Sequence, residues 1–257
     1  MIDTHAHLDS PDYDADREAV IERAHAAGVH TIIAIATDLE SSDRVLALAD
    51  SHPSVYAAVG VHPHEAKAWE GATSAARLRE LAKPPKVVAI GEIGLDYFRD
   101  HSPRAAQERA FRDQVQIARE LELPIIIHNR EAWEDILHLV EETDAAQVGG
   151  VFHCFAGSPE DARRIIDLGF HISVNGILTY KNAGMAAVVQ HVPADSILLE
   201  TDCPYLTPHP YRGRRNEPAH VSIVAGRLAE LRGVDPTQIE RETDANATSL
   251  FGLAVRA

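Results

Sequence analysis

Long apolar runs are missing from this 257-residue chain, and none approaches the roughly 18 residues of a membrane span. No membrane partner is expected. Asp3 and His5 interrupt the opening residues at once, so no secretory signal is expected and the cytoplasm is the default location. Cysteine is scarce too. Cys154 and Cys203 are the only two, and each directly follows a His or Asp of interest. They read as reduced neighbours of a site rather than as a disulfide. Basic residues are few: 24 Lys and Arg stand against 39 Asp and Glu, giving a formal net charge of −15, and only Lys67, Lys83, Lys86 and Lys181 are lysines. Without a basic stripe, a large footprint on duplex nucleic acid is disfavoured. A phosphodiester remains open as substrate if bound cations and a few arginines neutralise it locally. Linkers, low-complexity stretches and short repeats are also absent, and Lys83-Pro84-Pro85 reads as a loop before a strand.

What is present is alternation. Short β-rich apolar runs occupy 1–5, 31–36, 55–61, 87–91, 124–128, 148–153, 171–174 and 196–200. Helical patterns lie between them, at 16–27, 44–51, 103–121, 131–142 and 159–168. Pro103 and Pro159 suit the first helical turn, with Ser102 and Ser158 as N-caps. The runs mix Val, Ile and Ala with little alternation, the pattern of parallel strands buried on both faces. Eight such units in 257 residues fit a (β/α)8 TIM-type barrel in a single domain, 1–257. The rival, a doubly wound open sheet, concentrates its site at one switch point and does not bring the first and last strands together.

Side chains suited to metals recur at one end of these runs. His5 and His7 are two apart on an extended segment, so both imidazoles share a face. Glu92 follows the fourth run between glycines, where a buried carboxylate is costly unless paired or liganded, and its two oxygens could bridge two cations. His128 and His153 end the fifth and sixth runs. Asp202 follows the eighth, facing the first-strand histidines of a closed barrel, where it can touch both a metal and the attacking water and accept its proton. Imidazole plus carboxylate suits a divalent ion such as zinc, manganese or magnesium.

Other residues keep two readings each. His62 and His64 end the third run and could ligate, bind substrate, donate a proton or serve structure. Asp96 is either an orienting group or a loop cap. Arg130 either meets an anionic substrate group or makes an exposed ion pair. In the basic loop 211–218, Arg215 either contacts phosphate or belongs to an Arg–Glu pair that folds the loop.

Taken in order, His5-x-His7-Leu8-Asp9, Gly91-Glu92-Ile93-Gly94-Leu95-Asp96, the 124–130 segment, His153-Cys154-Phe155-x-Gly157, Glu200-Thr201-Asp202-x-Pro204, Arg215-Asn216-Glu217-Pro218 and Asn246…Phe251-Gly252 resemble the TatD family of metal-dependent hydrolases, within the amidohydrolase-like superfamily. Glu131 departs from the Asp often found there, outside the ligand set. The resemblance implies a TIM-type barrel with a one- or two-metal site. It further implies phosphodiester hydrolysis, often as a 3′→5′ exonuclease on DNA.

The resulting expectation is a deoxyribonuclease acting on single-stranded ends. His5, His7, Glu92 and Asp202 hold one ion, Glu92, His128 and His153 a second, and Asp202 is the base. His62, His64, Asp96, Arg130 and Arg215 are the substrate-binding candidates, and a monomer is favoured. The enzymatic alternative is hydrolysis of an aminoacyl ester (a D-aminoacyl-tRNA), a lactone or an amide. Many such sites use a carbamylated lysine as the bridge, but no lysine ends the fourth run here. A non-catalytic metal-binding scaffold would need the ligands without the base.

Overall fold

The structure is a computed structural model and describes residues 1–181 and 184–253. Eight parallel strands form one sheet in the order β1 to β8: β1 Ile2–Ala6, β2 Thr31–Ile35, β3 Val55–Val59, β4 Val87–Asp96, β5 Ile125–Arg130, β6 Gly150–Phe152, β7 His171–Val174 and β8 Ile197–Leu199. Helices alternate with them: α1 Arg17–Ala26, α2 Leu39–Ser51, α3 Ala72–Leu81, α4 Arg104–Leu121, α5 Trp133–Glu142, α6 Pro159–Asp167 and α7 Met185–His191, with α8 Val221–Arg232 and α9 Pro236–Phe251 after β8. This is the expected (β/α)8 barrel. β2 and β4 are buried along their whole length, which explains their unalternating sequences. Among the described residues no helix is long and apolar enough to cross a membrane.

The chain forms two compact units, 1–34 with 154–257, and 35–153. In the first, a parallel bridge pairs Ala6 with Cys203 beyond β8. Asp202 N donates to His5 O (2.9 Å), and His7 N donates to Cys203 O (2.8 Å). The first and last strands therefore meet, as only a closed barrel allows. Helix α9 fixes the start of β1: Ile2 N donates to Asp244 Oδ1 (2.8 Å), and the Met1 ammonium meets Glu240 (3.0 Å).

In the second unit, β4 and β5 pair as Ile90 with Ile125 and then Ile93 with Ile127, so β4 carries one extra residue at Gly91–Glu92. Such a bulge re-aims a side chain without ending the strand. This corrects the expected strand end at Gly91: β4 continues to Asp96, and Glu92 lies within it. Beyond the bulge Gly94 pairs with His128, and a Cβ on Gly94 would lie 1.9 Å from His128 O. Only glycine permits this register.

Some boundaries also differ. Helix α2 begins five residues before the expected Arg44, because Asp38 caps it by accepting from Ser41 N (2.6 Å). Ser158 caps α6 in a capping box with Asp161, as expected. Ser102 does not cap α4; Pro103 occupies that position, and the Ser102 hydroxyl donates to His64 O (2.7 Å).

Candidate metal centre

In the first unit, His5 and His7 face each other with Nε2 atoms 3.3 Å apart. Asp202 Oδ1 lies 3.8 Å from His5 Nε2 and 3.5 Å from His7 Nε2. Period-two geometry sets the histidine pair, and Asp202 turns toward it from a left-handed backbone (φ 54°), a conformation Asp tolerates better than most residues. All three residues are buried. Two imidazole nitrogens and a carboxylate oxygen within this spacing approximate the roughly 3.4 Å edges of a tetrahedral zinc-type site.

A buried network fixes this cluster from behind. Asp3 accepts from Thr201 N (2.9 Å) and the Thr201 hydroxyl (2.6 Å), joining β1 to the segment after β8. Burial pushes the Asp3 carboxyl up to about 8, against the lowering effect of the Thr201 bonds. Glu200 accepts from the Ser173 hydroxyl (2.5 Å), Asn175 Nδ2 (2.9 Å) and Cys154 N (2.8 Å).

In the second unit, Glu92 Oε1 lies 2.7 Å from His128 Nδ1, 2.7 Å from His153 Nε2 and 3.4 Å from His62 Nε2. Burial opposes charge on Glu92, but His153, His62 and the bonds from His128 and His153 outweigh it and hold the carboxyl well below its ordinary range. His128 sits between two carboxylates because Gly94, its partner across the ladder, has no side chain. Its Nε2 lies 3.1 Å from Asp96 Oδ2. A ring protonated on both nitrogens donates to both carboxylates, and these bonds raise the His128 pKa against the opposing effect of burial. A divalent metal bound here would take the place of the Nδ1 proton. The donor chemistry fits a divalent metal, and a carboxylate fixing the far nitrogen is the usual support for a metal-bound histidine.

His62 differs. His62, Glu92 and His128 each offer an atom within 4.8 Å of the others. Yet His62 Nδ1 accepts from His64 N (3.1 Å), so the neutral ring carries its proton on Nε2, which faces Glu92 as a donor and not as a ligand. Burial lowers His62 to about 4, keeping it neutral.

A family model described as TatD related DNase matches residues 2–252. The chain belongs to this family. It is 45% identical to the uncharacterized metal-dependent hydrolase YabD of Bacillus subtilis, over 98% of each chain. It is 40% identical to the 3'-5' ssDNA/RNA exonuclease TatD of Cronobacter sakazakii, over 98% of this chain and 97% of that one. Among solved structures, YJJV, the TatD homolog of Escherichia coli K12, superposes with a TM-score of 0.93 at 36% identity, covering 99% of this chain and 98% of its own.

Within this TatD-family frame the remaining candidates separate. His64 Nε2 lies 2.8 Å from Asp96 Oδ2, so Asp96 serves two histidines. Asp96 also caps its own loop, since Oδ1 accepts from Phe98 N (3.0 Å) and Arg99 N (2.7 Å). Arg130 is exposed and lies over the Phe98 ring at 3.9 Å. Arg215 bonds Asp16 through both nitrogens (2.8 Å each) and Glu217 (3.1 Å), the loop-folding reading of that residue. Cys154 and Cys203 are not joined in a disulfide.

Sequence reasoning missed the supports. Gln107 Oε1 accepts from Asp96 N (2.8 Å), and Gln114 Oε1 accepts from Val61 N (2.7 Å) while its Nε2 donates to Val61 O (3.0 Å). Two glutamines seven apart on the apolar face of α4, among Ala106, Ala110, Phe111 and Val115, were the available signal.

Proposed function

We propose that this protein is a metal-dependent phosphodiesterase that removes nucleotides from the 3′ end of single-stranded DNA or RNA. The observation that carries the reading is the convergence of His128 Nδ1 and His153 Nε2 on one oxygen of buried Glu92, each at 2.7 Å. The substrate class rests on TatD-family membership and on relatives named as 3'-5' ssDNA/RNA exonucleases. The family match over 2–252 supports one hydrolase domain across 1–257, and two cysteines outside any disulfide suit a reducing cytoplasm.

In this reading His5, His7, Asp202 and Glu92 would hold one divalent ion (Mg, Mn or Zn), and Glu92, His128 and His153 would hold a second. Bound ions neutralise phosphate charge and make water more acidic. Asp202 orients the attacking water and accepts its proton at a carboxylate oxygen. His62, neutral and with Nε2 toward Glu92, is placed beside this site as a substrate-binding candidate that does not add positive charge to it. Asp96 holds His64 and His128 in fixed orientations.

Carbamate-type amide or lactone hydrolysis is disfavoured because Lys86, before β4, donates to Ala49 O and His52 O, and Glu92 would take the place of a carbamylated lysine. The test is turnover of a single-stranded oligonucleotide by Asp202→Asn. A loss of about 10²-fold or more in kcat with metal content and fold intact supports Asp202 as base. Full turnover contradicts it.

A further inference from the structure

Phe98 is 48% exposed, an unusual place for a large side chain with no polar handle, and it stands two residues beyond Asp96 at the carboxyl end of β4. Its position is built. Asp96 Oδ1 accepts from Phe98 N and Arg99 N, while Tyr97 N donates to Arg130 O (2.9 Å), so the loop is tied to the ends of both β4 and β5. The other oxygen of the same carboxylate meets His64 and His128. One residue thereby sets both the ring and a proposed metal ligand.

Two guanidiniums lie against the ring. The guanidinium of Arg130 lies 3.9 Å from the Phe98 centroid and that of Arg99 5.6 Å. Among the described residues neither makes an ion pair, although Arg23, Arg77, Arg79, Arg112 and Arg215 all do. Two guanidiniums without an ion-pair partner beside an exposed aromatic ring, in a chain of net charge −15, suit a stacked base and its phosphate.

The geometry points to Phe98, flanked by Arg99 and Arg130, as a stacking platform for an unpaired nucleobase of the strand whose terminal phosphodiester enters the metal site. The inference rests on the nuclease reading above and adds the side chain that engages the base. A ring face accepts any base, so the platform selects single-stranded over duplex ends without selecting sequence.

The test is equilibrium binding of a short fluorescent oligothymidylate to the full chain in chelator, where no turnover is needed, followed by turnover with divalent metal restored. Phe98→Ala is expected to weaken binding roughly 5- to 100-fold, and Phe98→Trp to restore it to within about 3-fold of wild type. A strand of abasic residues should bind wild type and Phe98→Ala alike. Leu121→Ala, another exposed apolar side chain, should change nothing. Unchanged binding by Phe98→Ala overturns the platform, as does equal loss in Phe98→Ala and Phe98→Trp, or failure of wild type to bind the strand. A change in oligomeric mass without a change in oligonucleotide affinity makes the ring a protein contact and also overturns it. Normal binding with no metal-dependent turnover sinks the nuclease reading and leaves the platform standing.

Discussion

Asp96 Oδ2 lies 3.1 Å from Nε2 of His128, and this leaves the other ring nitrogen of His128 to face Glu92 at 2.7 Å. Burial opposes charge on Asp96, but the bonds from His128, Arg99 N and His64 keep its carboxyl far below the ordinary range. The carboxylate is thus ionised and accepts from Nε2–H. Asp96→Asn should lower metal affinity about 10- to 100-fold without unfolding the protein, measured by calorimetric titration of the metal-free enzyme. Unchanged affinity would remove Asp96 from the site.

Glu200 takes three hydrogen bonds from Ser173, Asn175 and Cys154 N, all within the core behind Asp202. Glu200→Ala strands those donors, and each buried donor left without a partner costs roughly 1–3 kcal/mol. Chemical denaturation should show a loss of several kcal/mol. A loss under about 1 kcal/mol would mean that water replaces the carboxylate.

Gly94→Ala places a methyl 1.9 Å from His128 O, backbone against backbone, at φ 148°. Neither strand can yield without breaking the β4–β5 ladder. The cost should reach or exceed the upper end of the roughly 1–3 kcal/mol typical of overpacking, with metal affinity falling alongside stability. A stable Gly94→Ala protein with normal metal binding would contradict the register.

Hydrogen bonding by Arg215 is the main cause that lowers Asp16 from its ordinary 3.8 to about 2. A carboxyl depressed in the folded state adds stability that is complete above its unfolded value and disappears as pH falls through the folded one. The Tm of wild type should therefore exceed that of Asp16→Asn at neutral pH, with the gap closing between about pH 4 and pH 2. A gap independent of pH would place the effect elsewhere.

The histidines were legible because each ends an apolar run, and a period of two or a strand end fixes where it points. Glu92 was legible as chemistry but not as position. Its glycine neighbours look like a strand end, and the bulge that keeps β4 going depends on pairing with β5, which no local pattern encodes. Arg215 kept two readings because one partner, Asp16, is 199 residues away in sequence. Ser102 matched an N-cap pattern, but its hydroxyl found His64 O across the fold. Gln107 and Gln114 looked like ordinary helix polarity, since a side-chain amide does not reveal whether it meets water or a strand-end backbone.

The most direct measurement follows a 5′-labelled single-stranded oligonucleotide through digestion by protein purified to homogeneity, with chelator, with divalent metal restored, and with Asp202→Asn in parallel. The expected result is a ladder shortening from the 3′ end that chelator abolishes, metal restores and Asp202→Asn fails to produce. Shortening that persists in chelator, or a strand left intact by the metal-loaded wild-type enzyme, would contradict the account.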